Sequence, residues 1–184
     1  MKNLSINPHV FDSILEKNEE ILWISKPNFI AFLSTGLPFL AFGLMWGALD
    51  YSLFSAAKAQ QNTPTLFIIM HLAPFYLSIL NMFRLLLVYK NTYYGITKHR
   101  LLYRGGFFGI DSKSIEYDKV QSLEINVNPL ENILKVGTIK VQLAAVGYNN
   151  RPQYNNFVGI ETPNEVFKKV KETSRLARES HVLV

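Results

Sequence analysis

FIAFLSTGLPFLAFGLMWGAL, Phe29 to Leu49, contains no charged residue. At a rise of 1.5 Å per residue, about 20 helical residues cross a hydrocarbon core of roughly 30 Å, so this stretch is long enough to span a membrane. A second uncharged run, LFIIMHLAPFYLSILNMF, extends from Leu66 to Phe83, and Leu85 to Tyr89 continue it past Arg84. A buried hairpin of a soluble helical protein would alternate apolar and polar faces, whereas both runs are apolar all round. The expectation is a transmembrane hairpin over residues 29–89, with helices at about 29–49 and 66–89 and an external loop over 50–65.

The flanks orient that hairpin. After the second run come Arg84, Lys90, Lys98, Arg100 and Arg104, with no acidic residue until Asp111, and Lys17 and Lys26 precede the first run. Lys and Arg collect on the cytoplasmic side of short flanks, which places both termini in the cytoplasm. Residues 1–28 then form a cytoplasmic N-terminal segment. It carries Asp12, Glu16, Glu19 and Glu20 where a cleaved signal peptide would have a short basic leader, so the first span is expected to remain as an anchor. The loop tip holds Gln60, Gln61, Asn62, Thr63 and Pro64, a turn-forming cluster.

Composition narrows the functional classes. The chain has 184 residues, enough for one modest domain with an appendage, and only 18% of them are charged. The absence of cysteine excludes disulfides, thiolate metal sites and cysteine nucleophiles. A net charge of +5 permits an acidic partner. Nucleic acid is not expected, because the basic residues lie beside the spans or along one helix, without a base-reading element.

Each span carries an internal pattern. Gly36, Leu40, Gly43 and Gly47 share one helical face, and Gly43-x-x-x-Gly47 allows another helix to approach closely. In the second span His71, Pro74, Ser78 and Asn81 recur at spacings of three and four, giving a polar stripe that should face the first helix or a neighbouring chain. Neither span offers His71 an acidic partner on this reading, which places Asp50 in the loop.

From about Tyr89 the pattern changes to period two. Asn91–Thr97 and Arg100–Arg104 read as a hairpin around Lys98-His99, and Ser114–Tyr117, Gln121–Val127, Thr138–Leu143 and Asn156–Ile160 as further strands, which favours a barrel or sandwich. Thr162-Pro163-Asn164-Glu165 then reads as a capping box opening a helix, with Val166, Phe167, Val170 and Ala177 as its apolar face. The opposite face carries Lys168, Lys169, Lys171, Arg175 and Arg178.

The order of these parts carries a resemblance. A helical hairpin is followed by Tyr94-Gly95-Ile96-Thr97-Lys98-His99-Arg100-Leu101-Leu102-Tyr103-Arg104-Gly105-Gly106, then Ile115-Glu116-Tyr117-Asp118-Lys119-Val120-Gln121-Ser122-Leu123, then Asn128-Pro129-Leu130 and Val136-Gly137-Thr138-Ile139-Lys140-Val141. Together with Glu19-Glu20-Ile21-Leu22-Trp23 and Lys26-Pro27, this resembles the bacterial pleckstrin-homology-like membrane proteins over nearly the whole chain. The resemblance implies an α+β membrane protein: a two-helix hairpin, then a PH-like split β-barrel of about seven antiparallel strands over 90–184, capped by a C-terminal helix.

It also implies a binding or scaffold module of the bacterial cytoplasmic (inner) membrane, self-associating or docking a membrane protein. Eukaryotic relatives of the fold bind lipid head groups near the first hairpin, and here Lys90, Lys98, Arg100 and Arg104 are the corresponding candidates for contact with lipid, including anionic lipid, or a partner. Gly36, Gly43, Gly47, His71, Ser78 and Asn81 are the candidates for helix packing. The alternative is a small oligomeric transporter or channel subunit using the polar stripe of the second span. No enzyme, cofactor or metal is expected. His9, His71, His99 and His181 lie far apart, no nucleophile elbow or phosphate loop occurs, and Gly105-Gly106-Phe107-Phe108-Gly109 opens no helix and reads as a turn.

Overall fold

The computed structural model describes residues 8–58, 64–146 and 152–182, so the expected turn cluster at Gln60 to Thr63 lies outside the described residues. The chain divides into two units, residues 33–87 and a second unit made of residues 1–32 together with 88–184.

The first apolar run does not form one continuous helix. It makes α1 (Phe29–Ser34) and α2 (Leu37–Lys58). Pro38 supplies no N–H to Ser34, so the chain breaks at Thr35-Gly36, where the Gly36 N–H donates to Leu33 and α2 begins afresh. The second run is likewise two helices, α3 (Thr65–His71) and α4 (Ala73–Asn91), bent by 46°. Pro74 cannot donate to Met70, and the Phe75 N–H turns instead to Leu72. Among the described residues one helix, over Leu37–Ser55, is long and apolar enough to cross a membrane, and the bent pair meets the same test as one unit. The expected boundary at Leu49 falls short, because α2 runs on through Asp50 to Lys58.

Within residues 33–87 the helices run antiparallel, with Gly36 opposite Leu85, Gly43 opposite Ser78 and Gly47 opposite Phe75. Their outer faces stay uncovered. Leu44, Met45, Leu49 and Leu53 on α2, and Leu77, Leu80 and Phe83 on α4, are all more than half exposed.

The other unit contains two antiparallel sheets. Four strands, β1 (Ile21–Ser25), β2 (Tyr93–Thr97), β3 (Arg100–Gly105) and β4 (Asp111–Glu116), pair in that order. Three more, β5 (Val120–Asn126), β6 (Val136–Val146) and β7 (Pro152–Glu161), form the second sheet. Between β5 and β6 lies the short α5 (Pro129–Ile133), opened by a capping box: Asn128 accepts from the Glu131 N–H while the Glu131 carboxylate accepts from the Asn128 N–H. The C-terminal helix α6 (Pro163–Val182) begins where the sequence predicts it.

Alternation explains the core. Tyr94 and Ile96 of β2, Leu101 of β3, Ile115 of β4, Ile139 and Val141 of β6, and Phe157 of β7 point inward and meet Val166 and Val170 of α6. The two sheets and the helix thus enclose one apolar interior, as expected for a PH-like body. β1 is the addition that periodicity did not reveal. Residues 1–28 read as a separate segment, yet Trp23, Ile24 and Ser25 pair with Ile96, Gly95 and Tyr94. Upstream, Phe11 is fully buried and packs with Val10 and Leu102 in a second, smaller cluster.

Candidate functional site

The first candidate region is the β2–β3 turn. Thr97 is buried, and its hydroxyl oxygen accepts the N–H groups of His99 and Arg100 at 3.2 and 3.1 Å, which closes the turn. The same hydroxyl donates to Glu19 Oε1 at 2.7 Å. Arg100 then grips Glu19 with two bonds, Nε to Oε1 at 3.0 Å and Nη2 to Oε2 at 2.5 Å, and reaches the Ile14 carbonyl and, at 3.2 Å, the Glu16 carboxylate. The Glu19 side chain is 3% exposed and that of Arg100 13%. Burial pushes the Glu19 pKa up, but the hydrogen bonds from Arg100, the Glu16 N–H and Thr97, with the Arg100 charge, outweigh it and bring it down to about 2.

The four expected basic residues therefore stand in different settings. Arg100 is satisfied internally, and Arg104 donates to the Val10 carbonyl, so both hold the N-terminal residues against the sheet. Lys98 is exposed, 3.5 Å from Glu20, and Lys90 is exposed at the end of α4. Nearby, Lys26 donates to the Lys90 carbonyl and lies 4.4 Å above the Tyr89 ring.

The second region is the helical pair. A Cβ at Gly43 would stand 2.1 Å from Ser78 Oγ and 3.0 Å from the Pro74 carbonyl oxygen, so the backbones approach too closely for any other residue. Ser78 donates to Phe75 within its own helix, and Asn81 accepts two bonds from Arg84. His71 corrects the sequence reading. Its Nδ1 is 2.8 Å from Asp50 Oδ1, its ring stacks on Trp46, and Trp46 Nε1 donates to its carbonyl. A helix ending at Leu49 leaves Asp50 in the loop, whereas α2 runs through Asp50 to Lys58 and sets its carboxylate against the His71 ring.

Asp50 is 1% exposed, and its Oδ2 has no hydrogen-bond partner among the described residues. Asp50→Asn keeps an acceptor for His71 and should be mild. Asp50→Ala leaves the His71 ring nitrogen unpaired and should cost about 1–3 kcal/mol. Thermal unfolding of the purified protein in detergent measures both.

The third region lies between β5 and α6. A groove of about 690 Å³ has Val120, Leu123 and Phe167 as its floor and Lys168, Lys171 and Arg175 along its rim. Two of the α6 basic residues brace the helix: Lys169 donates to the Leu22 carbonyl, and Arg178 to those of Val120 and Tyr117. β5 is an edge strand of its sheet, so an extended segment has backbone groups to meet there. Sequence reading found the basic face of α6 but not the groove, whose floor combines residues from two distant elements.

Among the described residues no group of three His, Cys, Asp or Glu could hold a metal ion. The space enclosed by Trp23, Ile96, Phe157 and Val170 is about 10 Å³, room for no ligand.

The family comparison agrees with the architecture. The sequence model of the family described as Bacterial PH domain matches residues 32–176. No curated protein matches the chain. Among solved structures, the chain is similar to a DUF1696 family protein with a pleckstrin-homology domain from Shewanella loihica PV-4, at 12% identity and a TM-score of 0.33, over 45% of this chain and 71% of that one.

Proposed function

The chain belongs to the bacterial PH domain family, and from that premise we propose that it is a membrane-anchored binding and scaffold module of the bacterial cytoplasmic membrane. The two apolar segments cross the bilayer, both termini lie in the cytoplasm, and the PH-like body docks a membrane protein or a second copy of the chain at the cytoplasmic face. One observation carries this reading. The stretch of α2 over Leu37–Ser55, whose one charged residue is Asp50, is long and apolar enough to span a membrane, yet only 11% of it is buried inside the protein, so its apolar surface requires lipid or another protein around it.

Distinct parts of the chain serve distinct contacts. Gly36, Gly43 and Gly47 pack against the face of Ser78 and Asn81, with His71 locked to Asp50. Lys90 and Lys98 meet anionic lipid, while Arg100 and Arg104 support that contact by fixing the fold of the first hairpin. The β5 edge with the rim of α6 receives the protein partner.

Carbonate extraction and protease treatment of intact cells test the anchoring. The protein should stay with the membrane fraction, and its C-terminal body should survive; release by carbonate or digestion from outside would refute the topology. Crosslinking in native membranes then identifies the partner, and recovery of the chain alone favours self-assembly. Neutralising Lys90 and Lys98 should weaken the preference of the reconstituted protein for anionic over neutral lipid by up to about fivefold per residue, since each basic residue near such a surface contributes about 1 kcal/mol. An unchanged preference in a lipid-competition titration would remove the two lysines from the contact.

The buried Asp50–His71 pair with its unsatisfied oxygen favours a second reading, a small oligomeric transporter or channel subunit. On that reading His71→Leu abolishes a pH-dependent flux in liposomes. On the binding reading there is no such flux to lose.

A further inference from the structure

The β3–β4 loop bears an apolar tip that the binding reading does not use. Phe108 is 96% exposed, Ile110 57% and Phe107 37%. Solitary exposed apolar residues are ordinary, but three within four residues at the end of a hairpin form a patch with no cover among the described residues.

The tip is shaped rather than slack. Gly106 has φ +133°, which residues with a Cβ rarely adopt, and a Cβ there would stand 2.2 Å from the Gly109 carbonyl oxygen. The loop is therefore pinched shut at its base. Beyond the pinch the rings of Phe107 and Phe108 pack edge to face, with centroids 4.2 Å apart.

Register fixes where the tip projects. β2 and β3 pair with Tyr93 opposite Arg104, so the end of β3 and the loop beyond it run past the start of β2, toward the residues that join β2 to α4. Asn91, the last residue of α4, donates from its side-chain amide to the Gly106 carbonyl at 3.3 Å. Asn91 is the second residue after Tyr89, where the apolar run ends. Tyr89 and Tyr93, with the Lys26 ammonium over both rings, line the same stretch of chain. Aromatic rings and lysines together are the composition of a membrane–water interface.

We propose that Phe107, Phe108 and Ile110 insert into the interfacial layer of the bilayer into which α4 runs, so that the PH-like body holds the membrane through the β3–β4 tip as well as through its helices. This rests on the anchoring reading above. The tip would add an apolar contact independent of lipid charge, complementing the lysines.

The chain has no cysteine, so one introduced thiol reports one site. Gly109→Cys keeps both phenylalanines, and a Cβ at that position meets nothing within 4 Å. The full-length variant carries a nitroxide label and is reconstituted into phosphatidylcholine–phosphatidylglycerol vesicles, where collision with oxygen is compared with collision with a water-soluble nickel chelate. Leu44→Cys on α2 is the lipid reference, and Ile133→Cys on α5, 76% exposed, the aqueous one. The Gly109 label should favour oxygen, as the Leu44 label does, and adding Phe107→Asp and Phe108→Asp should return it to the aqueous pattern. A Gly109 label that matches Ile133 while Leu44 reports lipid overturns the insertion alone. A lipid signal that survives both aspartates overturns the role of the rings, and an aqueous Leu44 label overturns the anchoring reading with it.

Discussion

Glu19→Ala should destabilise the PH-like body by about 3–5 kcal/mol, the largest effect expected of any charged residue in it. The carboxylate receives both arms of Arg100 and the Thr97 hydroxyl, and its removal leaves a guanidinium that is 13% exposed without its main partner. Glu16, the remaining carboxylate on Arg100, is 76% exposed and compensates little. Loss of this anchor should also free the segment from Phe11 to β1, because Arg100 bonds the Ile14 carbonyl from the same guanidinium. Chemical denaturation of the purified protein, followed by the fluorescence of Trp23, measures the loss. A change under 1 kcal/mol would mean that the pair is dispensable.

The same residue sets a dependence on acid. Its carboxyl pKa falls from 4.5 to about 2 on folding, so its contribution is fully present above pH 4.5 and disappears as the pH drops through that window to about 2. The shift corresponds to a contribution of up to about 3 kcal/mol. Other carboxylates titrate in the same range, and the comparison of wild type with Glu19→Gln isolates this one: the two should converge in stability as the pH approaches 2. Curves that stay parallel across the window would contradict the assigned role of the ion pair.

Gly43→Leu should have the second large effect, on the helical pair. The first carbon alone would fall 2.1 Å from Ser78 Oγ and 2.4 Å from Ser78 Cβ, and the rest of the side chain has nowhere to go. Overpacking of this kind costs about 1–3 kcal/mol or forces the elements apart. Separation would also break contacts further along the seam, the Trp46 bond to the His71 carbonyl at 3.0 Å and the Asp50–His71 pair at 2.8 Å. A double-mutant cycle distinguishes local crowding from general disruption. Gly43→Ala should be destabilising by itself and repaired in part by Ser78→Gly, which removes the Oγ and Cβ at 2.1 and 2.4 Å but leaves the Pro74 carbonyl oxygen at 3.0 Å. Thermal unfolding in detergent reads the cycle, and simple additivity would place the close approach elsewhere.

Much of the fold was legible in the order of residues. Length without charge marked the two apolar segments, alternation marked β2 to β7, and Pro163 with Val166 and Val170 marked the final helix. The misreadings have local causes. Pro38 and Pro74 broke each run into two helices, since an apolar count does not register a missing N–H. β1 escaped because Ile21-Leu22-Trp23-Ile24 is too short and too uniformly apolar to show a period, and it is made a strand by its pairing with β2. A further capping box, which the sequence reading does not single out, opens α5 at Asn128 and Glu131, in a helix of five residues too brief for periodicity to reveal.

The candidate sites divide along the same line. Gly36, Gly43 and Gly47 could be picked out because a four-residue spacing is a local property of one helix, and the basic residues of the first hairpin because they are simply basic. Their fates could not. Glu19 and Arg100 are 81 positions apart, Asp50 and His71 21 apart, and the Phe107–Phe108 tip acquires meaning only through a bond to Asn91, 15 positions before Gly106. Periodicity and hydrophobicity act between near neighbours and select helix, strand and turn from the chain alone. Which charge is neutralised, which carboxylate is buried and which apolar side chain is left facing outward depend on strand register and on the closest approach of helices, and only the assembled structure sets those distances.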